Sequence, residues 1–155
     1  MEVKMYSLEL IKGIPSLVSE KSYACDELLD VPDKVADLCI SLRLDKQAEE
    51  HVMMIALSAC MSPIGIFELS HGTINVSLAN PRGAFLRALL CGAYQIVIIH
   101  NHPSGSLQPS DEDFLTCQRL VDLGKSLEIQ VADFLIVSGE GYKSFRNEFN
   151  DRFCF

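Results

Sequence analysis

The sequence predicts an α/β sandwich with a mixed central sheet flanked by helices, and three observations carry that prediction. Two short apolar runs, HVMMIALSA and IGIFELS, follow each other across a turn at Met61-Ser62-Pro63, the pattern of consecutive strands in one sheet. From Asn80 to Val137 helical and extended patterns alternate, which adds parallel pairing to the antiparallel kind. The chain of 155 residues is 48% hydrophobic and 22% charged, enough apolar material for one packed core and too much for a disordered chain.

Taken in order, Val3 to Ile11 reads as an opening strand, and the stretch from Ile14 to Asp30 resists assignment. Pro32 to Leu42 reads as a helix with Pro32 in its first turn and Val35, Leu38, Cys39 and Leu42 as its apolar face. The two apolar runs after Glu50 are strands, and His71-Gly72-Thr73 turns the chain into a third strand over Ile74 to Leu78. Asn80-Pro81 starts a helix, with Asn80 as N-cap and Pro81 at the first helical position, and the helix runs to about Gly92. Gln95 to Ile99 is rich in β-branched residues and reads as a central strand. Ser110 caps a helix that ends about Gly124, Ile129 to Val137 is another strand, and Gly139-Glu140-Gly141 turns into a last short element. No repeat, low-complexity tract or Gly/Ser linker divides the chain, so residues 1–155 are expected to form a single domain.

Charge and cysteine usage narrow the function classes. Thirteen basic against 21 acidic residues give a formal charge of -8, so the chain as a whole does not attract nucleic acid or an anionic membrane. The six cysteines (Cys25, Cys39, Cys60, Cys91, Cys117 and Cys154) form no C-x-x-C pair and read as core thiols in a reducing compartment. The N-terminal stretch lacks the basic and apolar segments of a signal peptide, and the longest apolar stretch, Ala84 to Ile99, is interrupted by Arg87 and Gln95. A soluble, cytoplasmic protein without membrane contact is expected.

The chemistry centres on HNHPSGSLQPSDED, residues His100 to Asp113. A His-x-His pair at the end of a strand presents both imidazoles on one side, because side chains alternate with period two. Pro103 ends the strand and keeps the preceding residue extended. A third ligand can come from Asp111, Glu112 or Asp113 in the first turn of the next helix, and Asp113, the third residue after the cap, is the choice. Two neutral imidazoles and one carboxylate with an open position form a coordination set typical of catalytic zinc. Glu68, within IGIFEL and on the same face as Ile64 and Ile66, is then expected at the edge of the core, where it could act as general acid or base. Singly, each feature has a plainer reading: loop histidines, a helix cap with a first-turn acid, a solvated strand residue. His51 and His71 match no ligand spacing and read as surface or structural histidines.

The combination changes that balance. Glu68, His100-x-His102-Pro103, six residues, Ser110, two residues and Asp113 together resemble the JAMM motif of the JAB/MPN metalloprotease family. More closely, GTINVSLANPRGAFLRALLCGAYQIVIIHNHPSG resembles the RadC-like branch of the bacterial JAB proteins, and the likeness covers about Pro32 to Asn147. The resemblance implies a JAB/MPN-type (cytidine-deaminase-like) sandwich with the site at the end of the central sheet. It implies Zn2+ held by His100, His102 and Asp113, with Glu68 as general base toward the attacking water and Ser110 helping to stabilise the oxyanion. The activity implied is a zinc metallopeptidase, a hydrolase of peptide or isopeptide bonds acting on a protein or peptide substrate. A homodimer is compatible with it.

Two departures stand out. RadC-like proteins usually carry an Asp-His pair in the strand after the long helix, where this chain has Asp133-Phe134. Longer relatives begin with a helix-hairpin-helix region of the kind associated with DNA, for which this chain is too short. The alternative to an enzyme is a non-catalytic JAB-fold module that docks a protein or nucleic acid, or a DNA repair-associated factor. All five motif residues are present, which favours the enzyme, and the acidic charge opposes strong nucleic-acid binding.

Overall fold

A computed structural model describes residues 1–72 and 79–155. The expected strand over Ile74 to Leu78 lies outside the described residues. Those described form seven strands and four α-helices: β1 (Glu2–Ile11), β2 (Ile14–Ala24), α1 (Pro32–Ser41), β3 (His51–Leu57), β4 (Pro63–His71), α2 (Pro81–Leu90), β5 (Gln95–Asn101), α3 (Asp111–Leu127), β6 (Gln130–Ser138), β7 (Gly141–Ser144) and α4 (Phe145–Phe153). One sheet of order β2-β1-β4-β3-β5-β6-β7 contains all seven strands. It is mixed, as expected: β5 and β6 are parallel, as are β1 and β4, and the other neighbours run antiparallel. This is a JAB-type α/β fold.

The stretch that resists assignment from sequence is β2, the second arm of a hairpin in which Ile11 pairs with Ile14. The two residues between them, Lys12 (φ 52°) and Gly13 (φ 79°), both have the positive φ that a type I′ hairpin turn needs. Lys-Gly is an uncommon way to write that turn, and the strand it starts is mostly exposed and polar. Both facts hide it.

Alternation along the strands sorts the apolar side chains into two layers. Val52, Met54, Ala56, Ile96, Ile98, Phe134 and Ile136 face α2, α3 and α4, which contribute Ala84, Phe85, Cys117, Leu120, Phe145 and Phe153. Met53, Ile55, Leu57, Val97, Ile99, Leu135 and Val137 face α1 through Val35, Leu38 and Cys39. The helices therefore lie on both faces of the sheet.

Helix boundaries follow local chemistry. The Asn80 side chain accepts from the Arg82 N–H at 3.1 Å with Pro81 behind it, so α2 starts where the sequence places it. The helix expected to end about Gly124 continues to Leu127. Gly124 is needed for another reason: a Cβ there would lie 2.5 Å from the carbonyl oxygen of Ile129, where the chain enters β6. The expectation that the cysteines are core thiols holds for Cys39 and Cys117 alone, because Cys60 and Cys154 are exposed and Cys25 and Cys91 half-buried; all six are free. Among the described residues no helix is long and apolar enough to cross a membrane.

Candidate metal centre

His100 is the sixth residue of β5, on the face of Ile96 and Ile98, and His102 follows just beyond the strand end. Their rings meet edge to face with centroids 4.7 Å apart, so the two-residue spacing brings the imidazoles together as period-two geometry requires. The loop after them is held by the Gly105 N–H donating to the His102 carbonyl (3.1 Å) and the Ser138 hydroxyl donating to the Gly105 carbonyl (3.1 Å). It then delivers α3 to the strand end. Asp113, fully buried in the first turn of α3, completes the group with His100 and His102, one donor atom of each lying within 4.8 Å of the others.

The Ser110 side chain accepts from the Asp113 N–H at 3.1 Å, and Asp113 Oδ2 accepts from both the N–H and the hydroxyl of Ser110 at 2.7 Å. This reciprocal capping box is worth on the order of 1 kcal/mol to the helix. It also orients the carboxylate. The helix cap and the positioning of this carboxylate are one arrangement.

Protonation states follow from partners. The His102 Nδ1 lies 2.9 Å from the Ser106 carbonyl, which can only accept, so Nδ1 carries the proton and Nε2 is left with a lone pair. That Nε2 points at Asp113 Oδ2, 3.5 Å away. Two lone-pair atoms facing each other need a proton or a cation between them. Without an ion, the Asp113 carboxylate draws a proton onto His102 and raises its pKa against the opposing effect of burial. Burial by itself would raise the Asp113 carboxyl, but hydrogen bonds from His100, His102 and Ser110 outweigh it and hold the group well below the usual carboxylate range. His100 Nδ1 lies 2.7 Å from Asp113 Oδ1, while its Nε2 is buried with no hydrogen-bond partner among the described residues. An unsatisfied buried nitrogen costs about 1–3 kcal/mol. A divalent ion would satisfy this donor set of two imidazoles and a carboxylate already deprotonated, taking the place of the proton between His102 and Asp113.

Glu68 is not at the edge of the core. It is exposed, and its Oε1 lies 3.6 Å from His71 Nδ1 and 3.9 Å from His51 Nδ1. The β3–β4 pairing has two irregularities: Gly65 and Pro63 oppose the adjacent residues Ala56 and Leu57, and Ser70 and Glu68 oppose Val52 and Met53. Each bulge adds one residue to β4, so Ile64 lies on the opposite face from Glu68, whereas Ile66 and Glu68 pair with Ile55 and Met53 on the face toward α1, opposite the face of His100. The carboxylate that reaches the triad belongs to Glu50, whose Oε2 is 3.7 Å from the unpartnered His100 Nε2. Glu50 precedes β3, and period two places it on the face of Val52, the residue opposite His100.

Asn101, a mere spacer in the His-x-His reading, anchors this arrangement. Its Oδ1 accepts from the His51 N–H and its Nδ2 donates to the Glu49 carbonyl at 3.0 Å, clamping the backbone on both sides of Glu50 to the end of β5. Phe134, where RadC-like chains usually carry His, is fully buried with its ring 4.8 Å from Phe145. The preceding Asp133 accepts from the Ser144 hydroxyl and the Arg146 N–H, tying β6 to the start of α4. A cleft of about 510 Å³ lined by Tyr94, Lys125, Glu128 and Phe155 lies at the opposite end of β5 and β6, away from the triad.

Fold and donor set together define a JAB-type α/β domain with a metal-competent end. The chain belongs to the RadC-like JAB domain family, whose model matches residues 29–150. It is 36% identical over 129 residues to a UPF0758 protein of Thermotoga maritima, a match covering 79% of this chain and 57% of that one. A UPF0758 protein of Staphylococcus haemolyticus is 31% identical over 150 residues, covering 94% and 65%. The chain thus spans less than two thirds of the length of these relatives.

Proposed function

We propose that this domain is a metal-dependent hydrolase of peptide or isopeptide bonds, with His100, His102 and Asp113 as zinc ligands and Glu50 as the general acid/base. The observation that carries the reading is the convergence of three metal-competent side chains with a half-exposed carboxylate 3.7 Å from the unpartnered His100 Nε2. A zinc ion held there supplies Lewis acidity toward the scissile carbonyl and the attacking water.

The chain's own residues supply the rest. Glu50, about half exposed and able to meet solvent, takes a proton from the attacking water as its oxygen bonds to the carbonyl carbon. The same carboxyl then returns that proton to the leaving amine as the C–N bond breaks. Water has been added across one amide, giving a carboxylate and an amine. Ser110 holds the Asp113 carboxylate, and the oxyanion role implied by the family resemblance requires its hydroxyl to exchange that acceptor for the substrate oxygen. Asn101 fixes the height of Glu50 above the site.

The test compares Glu50→Gln with His100→Ala on whichever member of a peptide library the wild type cleaves. Glu50→Gln should retain zinc at wild-type stoichiometry while turnover falls by about 10²–10⁴, the usual contribution of a positioned acid/base. His100→Ala should lose zinc and turnover together. Near-normal turnover in Glu50→Gln would place the base elsewhere, and a zinc-free, fully active wild type would end the metallohydrolase reading.

A further inference from the structure

β3 and β4 place a second set of donor side chains at the same end of the sheet, on the opposite face. His51 lies on the face of Met53 and Ile55, which pack toward α1, whereas His100 lies on the face of Ile98, which packs toward α3. His51 and His71 are direct cross-strand partners, with rings stacked 4.1 Å apart at 19°. Strict alternation would send His71 and Glu68, three positions apart, to opposite faces. The bulge at Leu69 absorbs one residue and brings them to the same one.

Partners decide the tautomer of His71. Its Nε2 lies 2.6 Å from Glu49 Oε2, an acceptor, so in the neutral ring Nε2 carries the proton and Nδ1 presents a lone pair. That Nδ1 is directed at Glu68 Oε1, 3.6 Å away, and His51 Nδ1 approaches the same oxygen at 3.9 Å. These separations are too long for hydrogen bonds. They are close to the spacing of ligands around an ion, since bonds of about 2.0–2.1 Å at a tetrahedral zinc put neighbouring donor atoms about 3.3 Å apart. Among the described residues no lysine or arginine forms an ion pair with Glu49 or Glu68, and the ionic partners of both carboxylates are imidazoles. The sequence Glu49 carboxylate, His71 ring, open lone pair is the outer-partner arrangement by which proteins orient a metal-ligating histidine.

We infer that His51, His71 and Glu68 form a second site for a borderline divalent transition ion such as zinc, with Glu49 orienting His71. Two imidazoles and a carboxylate favour such ions over magnesium or calcium, which prefer all-oxygen shells. The site does not depend on hydrolysis at the first. Glu49 and His51 flank Glu50, so an ion bound there pins the chain on both sides of that carboxylate and couples occupancy of one face to geometry on the other.

The experiment titrates chelator-stripped, full-length protein with Zn2+ by calorimetry and with Co2+ by visible absorption. Wild type, His71→Ala, Glu68→Gln, His102→Ala and the His71→Ala/His102→Ala double variant are compared after circular dichroism has shown each to be folded. His71 and Glu68 are both exposed, so their replacement leaves the core intact. Wild type should bind two equivalents, each of the three single variants one, and the double variant none. One equivalent in wild type that disappears in His102→Ala and persists in His71→Ala overturns the second site. Persistence of two equivalents in His71→Ala overturns it as well. One equivalent in wild type that disappears in His71→Ala and persists in His102→Ala instead overturns the triad and keeps the second site.

Discussion

His102 shows how one hydrogen bond decides chemistry at the scale of a residue. The Ser106 carbonyl assigns the proton to Nδ1, so Nε2 faces Asp113 Oδ2 and the pair needs a positive charge between them. In metal-stripped protein that charge is a proton, so the pKa of His102 is raised. The stabilisation His102 contributes is complete below the ordinary histidine range and is lost as pH rises through its raised folded value. Asp113 runs the other way: its folded pKa is lowered, so its contribution is present above the ordinary carboxylate range and is lost as pH falls below it. The stripped protein should therefore draw most from this pair in mildly acidic solution. The ring-proton resonance of His102 should titrate above a free histidine, and added Zn2+ should abolish that titration. An unshifted resonance in stripped protein, or one that still titrates with zinc present, would count against this account. Glu50 was not legible at this scale. Nothing in Glu49-Glu50 marks one acid as special until β3 is paired with β5 and Val52 is opposite His100.

Among the elements, those with local chemical punctuation could be read and those defined by pairing could not. Asn80-Pro81 and Ser110 with Asp113 announce α2 and α3, because a capping side chain and its N–H partner lie within three residues of each other. The bulges in β4 have no such mark, since an extra residue in one strand exists only relative to the strand beside it. The one at Leu69 is the reason His71 lies on the same face as Glu68 and His51. Gly124 reads locally as a helix stop, yet its cause is a contact with the strand that follows. Gly124→Ala puts a methyl 2.5 Å from the Ile129 carbonyl oxygen, a backbone atom that cannot swing aside as a side chain can. Helix propensity favours Ala by about 0.8–1.0 kcal/mol, and overpacking costs about 1–3 kcal/mol, so the clash should win. The urea midpoint should fall with the slope unchanged, whereas a rise would mean that α3 shifts freely against β6.

For the whole molecule, charge and layering are the decisive properties. With a formal charge of -8, the chain should bind generic duplex DNA weakly or not at all at physiological salt. A fluorescence-anisotropy titration tests this, and submicromolar, salt-sensitive binding would defeat it. The amino-acid sequence by itself determined the mixed α/β class, the capped helices, the buried β5 and the His100, His102, Asp113 group. Each of these rests on spacing within one strand, one helix turn or one short loop, and such spacing is a property of the local chain. The tertiary structure decided which acid lies beside the triad, what Asn101 clamps, and that His51, His71 and Glu68 meet on the opposite face. These depend on strand order and register, in which residues some fifty positions apart become neighbours and one inserted residue reverses a face. Long-range pairing is set by burying two apolar layers at once, a condition that no local stretch of the chain carries.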